Sequence, residues 1–505
     1  MIVQFALILT LIAIFIYFLN TWKIYTYWKR KGVKGPTPFP IVGNYASVFF
    51  GKESEGDLFH KIYKQYPNER FVGIFKGTRP VLILRDPSLF EFVFTKDFDH
   101  FRDRSLDKTL QIFTKNLYTS RGNDNWHSMR ATLAPIFTKT KCAKMIVPIK
   151  KAIDKYLEFV DNLIDSNIDY EIRDLKRKLV VESIGNLIFG VDLNTFDGKD
   201  KFQNEVQEML DLNIRTSLIH KIAYTIPAIV NMIMPIMRLY YDRILLGTLR
   251  KILYSSMNKP KDETTKNTIL DILLNLKEES EREKRKRNGE LVIDYDEIVQ
   301  HIATISLASY EALSNSMTIL FFMLAHHQDI QEKAYQEIAT LFNKCNGEVN
   351  EEFLFGLQYL EMIINESMRL HTPAQSLGRR CIKKYTFPDS SLTIDKSTYV
   401  TVSGHGLSRD PKFYENPNVF DPQRFSPENK SKFQHNIFIP FGKGPRMCVG
   451  SKLSSTFILL STSCFLLKYK VYPSSKTQPP IKYDPSVQIA TTPLGGVFVK
   501  LEPRN

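Results

Sequence analysis

One decapeptide near the C-terminus constrains this chain more than any other feature. Phe441-Gly-Lys-Gly-Pro-Arg-Met-Cys-Val-Gly450 sets one thiol at the end of a glycine-bearing loop. The apolar stretch from Leu453 to Leu467 follows and is predicted to be a helix. A thiolate at a helix N-terminus is stabilised by backbone N–H groups and the helix dipole, which is what a cysteine needs to ligate a metal as an anion. Gly442 and Gly444 let the backbone come close to a flat partner, and Arg446 lies two residues before Cys448, within reach of an acidic group on that partner. Gly450 lets the helix begin close against it.

The plain alternative is a buried cysteine beside a turn. Against it stand five specified residues in one decapeptide: Phe441, Gly444, Arg446, Cys448 and Gly450. This pattern resembles the haem-binding loop of the cytochrome P-450 superfamily. The resemblance implies a haem b whose iron is held by Cys448, and a thiolate ligand pushes electron density toward iron and favours O–O cleavage.

The first forty residues point to a membrane. Ile2 to Leu19 are almost wholly apolar and uncharged, just enough to span a hydrocarbon core of about 30 Å. Lys23, Lys29, Arg30, Lys31 and Lys34 follow. The positive-inside rule then puts the N-terminus in the lumen and the body in the cytosol. A cleaved signal peptide fits less well, because there is no basic leader and no small-x-small site. Gly35-Pro-Thr-Pro-Phe-Pro40 reads as a stiff, extended connector. The expected division is an anchor at 1–20, a basic, proline-rich linker at 21–40 and a catalytic domain at 41–505. Microsomal members of the superfamily carry such a basic patch and hinge, which implies the endoplasmic reticulum membrane.

The five cysteines (Cys142, Cys345, Cys381, Cys448, Cys464) form no disulfide framework and no zinc pair. The net charge of +14 permits nucleic acid, an anionic membrane or an acidic protein as partner. The charge is scattered and no nucleic-acid motif appears. The longest charge run, Lys277 to Arg287, mixes both signs and reads as a solvated helix end and loop. The resemblance implies that Lys443, Arg446 and Lys452 surround the thiolate side, where an acidic reductase docks.

Strand signals occur at Arg70–Phe75 and Pro80–Leu84, and again at Leu392–Ile394, Tyr399–Val402 and Gly496–Leu501. Helical periods dominate from Glu91 to Leu370. The fold is therefore expected to be mainly α with a smaller β-rich part, matching the superfamily, preceded by one transmembrane helix. Ile222 to Met237 is a second apolar run, but Pro227 and Pro235 argue against a second span. It reads as a loop that dips into the membrane and roofs the substrate entrance, or as a buried helix pair.

Two further motifs accompany the loop. Glu366-Ser-Met-Arg369 has i,i+3 spacing on one helix face, and Arg424, in Phe420–Phe425, is placed to join the same carboxylate. The family pairs such elements in a buried structural triad. Trp126 and Arg130 share a helix face at i,i+4, and the family's W-x-x-x-R helix hydrogen-bonds a haem propionate through both side chains. Arg379 matches a further propionate ligand by position, with Arg380 a close competitor. With Arg446, three cations then face two carboxylates.

The oxygen-side helix departs from the family pattern. Within the apolar stretch Glu297–His326 the expected Ala/Gly-Gly-x-Asp/Glu-Thr reads Ala308-Ser-Tyr-Glu-Ala312. The acid is kept at Glu311, Ser309 replaces Gly, and Ala312 replaces the Thr whose hydroxyl delivers protons during oxygen activation. Ser314 lies about 200° around the helix from Ala312, so Ser309 is the better stand-in. Glu311, Ala312 and Ser309 are the distal candidates.

Three functions follow. One is a monooxygenase acting on a lipophilic small molecule, fed by NADPH through cytochrome P-450 reductase and assisted by cytochrome b5. The second is a peroxide-rearranging isomerase or dehydratase, which loses nothing with the Thr. The third is a non-catalytic haem- or ligand-binding relative. Glu69–Phe75, Lys96–Phe101 and Pro135–Thr138 look like the animal xenobiotic-metabolising branch, most of all its insect members.

Overall fold

Continuous apolar character through residues 319–325 demands a helix buried on every side, and the rest of the chain is arranged to bury it. A computed structural model of the chain describes residues 21–104, 116–120, 122, 124–165, 168–197, 246–258, 268–287, 294–429, 437–487 and 490–504. Isolated positions 4–5, 232, 235, 239 and 243 are also described. The helices that matter to the site are α1 (Glu55–Gln65), α2 (Asp124–Leu133), α3 (Ile146–Leu163), α4 (Ile172–Ile184) and α5 (Ile269–Arg287). After them come α6 (Tyr295–His326), α7 (Gln328–Lys344), α8 (Gln358–Leu370) and α9 (Ser451–Lys468). The long helix is α6. A capping box starts it: the Asp294 carboxylate accepts from the Glu297 N–H while the Glu297 side chain accepts from the Asp294 N–H. From Met317 to Ala325 every residue is buried, against α4, α7, α8 and α9.

The strands form a smaller part. β1 (Phe71–Lys76), β2 (Arg79–Leu84), β3 (Asp103–Arg104), β5 (Ser376–Arg380) and β8 (Tyr399–Ser403) make one sheet in the order β1-β2-β8-β5-β3. Gly77, at φ +59°, turns β1 into β2 in two residues. Among the described strand pairs only β2 and β8 run parallel. β4 (Tyr170–Glu171), β10 (Phe498–Pro503) and β9 (Tyr469–Pro473) form a second sheet, and β6 (Tyr385–Thr386) pairs with β7 (Thr393–Ile394). Mainly helical architecture with a minor sheet component agrees with the sequence reading, and each predicted strand lies within two residues of an observed one. The run Lys277–Arg287 is the end of α5, laced by Lys277–Glu281 and Arg282–Glu278 pairs.

The linker does not stand free of the body. The Trp28 ring lies on Gly73 of β1, where a Cβ would meet its ring at 2.4 Å, and Trp28 Nε1 donates to the Ile74 carbonyl at 2.9 Å. Gly73 N–H bonds the Lys34 carbonyl. The proline segment is thus clamped along β1, because the β1 edge carries backbone donors and acceptors that the extended chain satisfies. The expected anchor Ile2–Leu19, but for Gln4 and Phe5, and the run Ile222–Met237, but for Met232 and Pro235, lie outside the described residues. Among the described residues no helix is long and apolar enough to cross a membrane.

Candidate functional site

The Cys448 loop is held by its own backbone. Cys448 N–H donates to the Phe441 carbonyl at 2.9 Å, Met447 N–H to Gly444 at 2.8 Å and Gly442 N–H to Ile439 at 3.0 Å. Gly442 and Gly444 sit in the left-handed region, at φ +78° and +74°. A Cβ on Gly444 would lie 1.8 Å from the Phe94 carbonyl oxygen. The close approach expected of this glycine is therefore made, in part, by the protein itself. Gly450, at φ −85°, has room for a side chain, its nearest neighbour being Ser454 at 3.9 Å from a built Cβ. α9 starts one residue later, so its N-terminus points at the loop that carries the thiol.

Cys448 is the one exposed cysteine of the five. Burial nevertheless pushes its thiol upward, while the Gly450 N–H and then Arg104 and Arg130 favour the thiolate. The thiol is thus accessible while protein surrounds it.

Arginines gather around that thiol. β3 pairs with β5 so that Arg104 lies opposite Arg379. Arg379 is 2% exposed; its Nη1 donates to Gly378, its Nη2 reaches the Lys443 carbonyl at 3.5 Å, and its Nε has no partner. Arg380 points the other way and pairs with Asp103. Arg446 is also buried, over the Trp126 ring at 4.0 Å, donating to the carbonyls of Arg102, Leu117 and Ser120. Half-buried Arg104 donates to the Arg446 carbonyl and half-buried Arg130 to that of Met447. Trp126 Nε1 donates to Leu117 at 3.2 Å. Among the described residues, no carboxylate lies within ion-pair distance of Arg104, Arg130, Arg379 or Arg446. Burial first, then mutual repulsion, drives the Arg379 guanidinium far down, and the same causes bring Arg446 down to about 9.

The second arginine cluster is closed. Arg369 grips both oxygens of Glu366, Nε to Oε2 at 2.6 Å and Nη2 to Oε1 at 2.8 Å, and Arg424 Nε stands 3.3 Å from Oε1. Asp421 N–H also donates to Glu366. Remaining Arg369 donors go to the carbonyls of Ser408, Pro417 and Val419. Of the basic residues expected on the docking face, Arg446 is buried and Lys443 is paired with Glu91; Lys452 is exposed.

On α6, Ala308 and Ala312 are exposed one turn apart, within a helix that is otherwise largely covered. They open a strip of small side chains onto a space, with Ser309 half-buried beside them. Ser314 is buried and turned back on its own helix, donating to the Tyr310 carbonyl. Glu311 faces α4: Arg177 Nη2 donates to Oε1 at 3.2 Å, Arg173 Nη2 lies 3.6 Å from Oε2, and Asn315 Nδ2 donates to Oε2 at 3.0 Å. Asn315 also reaches Thr492.

A family model described as Cytochrome P450 matches residues 33–499. The chain belongs to the cytochrome P450 family. It is 30% identical to Cytochrome P450 6B4 of Papilio glaucus over the full length of both chains. It is 29% identical to Cytochrome P450 6B1 of Papilio polyxenes, over 95% of each. Cytochrome P450 6B7 of Helicoverpa armigera is 26% identical over 98% of this chain and 97% of its own. The chain is therefore an oxidoreductase of the monooxygenase class that uses haem with a cysteine thiolate on iron, similar to the insect xenobiotic-metabolising branch.

The residues around Cys448 fit that cofactor. An accessible thiol is matched by arginines with no ion-paired carboxylate among the described residues, and haem carries two carboxylates. Sequence reading missed Arg104, which no spacing rule ties to Arg379; only strand register does. It also missed Arg173 and Arg177, whose helix lies far from Glu311 in sequence.

Proposed function

We propose that this cytochrome P450 is a membrane-associated monooxygenase in which Cys448 Sγ holds the haem iron. The observation that carries the reading is the exposed thiol beside arginines that have no carboxylate at ion-pair distance among the described residues. Arg104, Arg130, Arg379 and Arg446 bind the propionates, with Trp126 stacked under Arg446. Arg379 takes this role rather than Arg380, which Asp103 already neutralises. Phe441, Gly444 and Gly450 shape the loop. Bound haem supplies the iron at which dioxygen is reduced by two electrons, one oxygen atom entering a lipophilic substrate and the other leaving as water.

The chain's distal residues then govern space and protons. Ala308 and Ala312 make room on α6. Ser309 offers a hydroxyl at the edge of that strip. Glu311 keeps its carboxylate engaged by Arg173, Arg177 and Asn315, so it acts through movement away from α4 or through solvent that reaches it. NADPH-cytochrome P-450 reductase supplies electrons, with cytochrome b5, at the face marked by Lys452. Residues 1–20 anchor the chain in the endoplasmic reticulum membrane with the body, from residue 41, in the cytosol, and 222–237 admits substrate from the bilayer.

A second reading draws on Ala312 and the engaged Glu311: rearrangement of a lipid hydroperoxide, which needs neither dioxygen nor reductase. Product formation separates the two. With substrate, dioxygen and reductase, organic product rules for the monooxygenase; turnover of a lipid hydroperoxide alone rejects it. Ala312→Thr is expected to raise product per NADPH several-fold. The reduced, carbon monoxide-bound spectrum shows a thiolate-bound Soret band that Cys448→His abolishes; a wild-type band elsewhere removes the ligand assignment.

A further inference from the structure

Arg104, Arg446 and the Trp126 ring beneath Arg446 all rest on one short turn, residues 116–120, just ahead of α2. Arg446 donates through Nη1 to the Leu117 carbonyl at 3.2 Å and through Nη2 to the Ser120 carbonyl at 2.8 Å. Trp126 Nε1 shares the Leu117 carbonyl, also at 3.2 Å. The Arg104 guanidinium lies over the Tyr118 ring, 4.6 Å from its centroid. A guanidinium carries five N–H donors in a rigid fork. With Nε on the Arg102 carbonyl, Arg446 spends three of them on backbone and keeps one on each Nη. The direction of those two is therefore set by where the turn holds its carbonyls.

One fully buried side chain closes that turn. Asn116 Oδ1 accepts from the Tyr118 N–H at 2.9 Å and from the Thr119 N–H at 3.0 Å, and its Nδ2 donates to Thr119 Oγ1 at 2.8 Å. Its own carbonyl accepts from the Ser120 N–H at 3.2 Å. An asparagine that bonds the backbone two residues on forms an Asx turn, which serine imitates more weakly and alanine cannot make. The far end is fixed separately. Gly122 N–H donates to Asp103 Oδ1 at 2.9 Å, and a Cβ on Gly122 would lie 2.2 Å from Arg102 Cβ. Asp103 also pairs with Arg380. With that end pinned to β3, Asn116 decides how the carbonyls of Leu117 and Ser120 face Arg446.

We propose that Asn116 is a positioning residue for haem binding: by shaping the turn 116–120 it aims Arg446 and Arg104 at the haem carboxylates. The inference rests on the reading of those arginines as carboxylate ligands. A binding group must be held to about 0.5 Å by residues behind it, and a loosened turn leaves the cations present but misplaced. A turn that merely filled space would support free and esterified haem alike. One that aims cations matters only while the carboxylates are free to be bound.

Cofactor release tests this. The full-length protein is loaded with haem or with haem dimethyl ester, and transfer to excess apomyoglobin is timed from the Soret band. Wild type is expected to release the ester faster than haem. Asn116→Ala should speed haem release about tenfold, the effect of misplacing one charge-assisted hydrogen bond, and leave ester release within about twofold. Asn116→Ser, which keeps an acceptor for the Tyr118 N–H, should speed haem release only about threefold. Equal acceleration of haem and ester in Asn116→Ala makes the residue a general support and overturns the proposal, as does unchanged release of haem. Should Asn116→Ala fail to fold, Asn116→Ser decides, and haem release at the wild-type rate overturns the proposal. A wild type that releases haem and ester alike instead removes the arginines as carboxylate ligands, and the role of Asn116 falls with them.

Discussion

The chain buries two arginine clusters, and they differ in one respect. Around Glu366 a carboxylate stands among the arginines: Arg369 and Arg424 share it, and backbone carbonyls take the remaining Arg369 donors. Around Cys448, Arg379 and Arg446 meet backbone carbonyls, the rings of Phe94 and Trp126 and the field of neighbouring arginines, and among the described residues neither has a carboxylate at ion-pair distance, Asp103 acting on Arg446 only from farther off. A buried ion pair is destabilising to break but adds little by itself. An uncompensated buried cation is costly unless a counter-charge arrives. The closed cluster therefore belongs to the fold, and the open one is the cluster proposed to receive the haem carboxylates.

Removing one partner from each cluster should give opposite results. Glu366→Ala strands Arg369 and is expected to cost about 3–5 kcal/mol, seen in chemical denaturation with or without haem; an unchanged midpoint breaks the comparison. Arg379→Leu should leave the cofactor-free protein as stable as before, or more so, because an unpaired buried charge is gone. Its haem affinity should fall by about 1.5–3 kcal/mol, roughly 10–100-fold. Haem with esterified propionates sharpens the point: wild type and Arg379→Leu should bind it alike, and a persisting difference means that Arg379 acts on packing instead.

The smallest effect concerns pH. His371, which ends α8 beside the closed cluster, donates to or accepts from Tyr483 at 2.7 Å. Burial, then Arg409 and Arg369, lowers it to about 3. The unfolded chain takes up its proton near pH 6.5, well before the native state does. The stability tied to neutral His371 is thus present above that value and lost as pH falls toward 3. His371→Gln should recover about 2 kcal/mol of the loss between pH 7 and pH 5, measured from denaturation midpoints at both values. An identical acid slope would place the sensitivity elsewhere, with His60, lowered to about 4 by burial, the next candidate.

Much of this site was legible locally. The decapeptide, the i,i+3 pair Glu366–Arg369 and the i,i+4 pair Trp126–Arg130 are short-range patterns, and helix geometry alone puts each pair on one face. Short runs rich in apolar and β-branched residues marked β1, β2 and β8, which is also a local signal. Arg379 and Arg380 were not separable, since neighbours on a strand face opposite ways and only the sheet says which way is in. Gly444 was read for a flat partner, whereas the Phe94 carbonyl already forbids a side chain there.

The sequence by itself determined the family, the thiol and the elements that carry it, because those are written in spacings of ten residues or fewer. Only the tertiary structure decided which charges are paired. It set Arg104 beside Arg379 across a two-stranded register and closed Arg173 and Arg177 over Glu311. It turned Arg446 inward and left Lys452 exposed. Electrostatic partnership depends on distance in space and on exclusion of water, and neither is recorded in the order of residues along the chain.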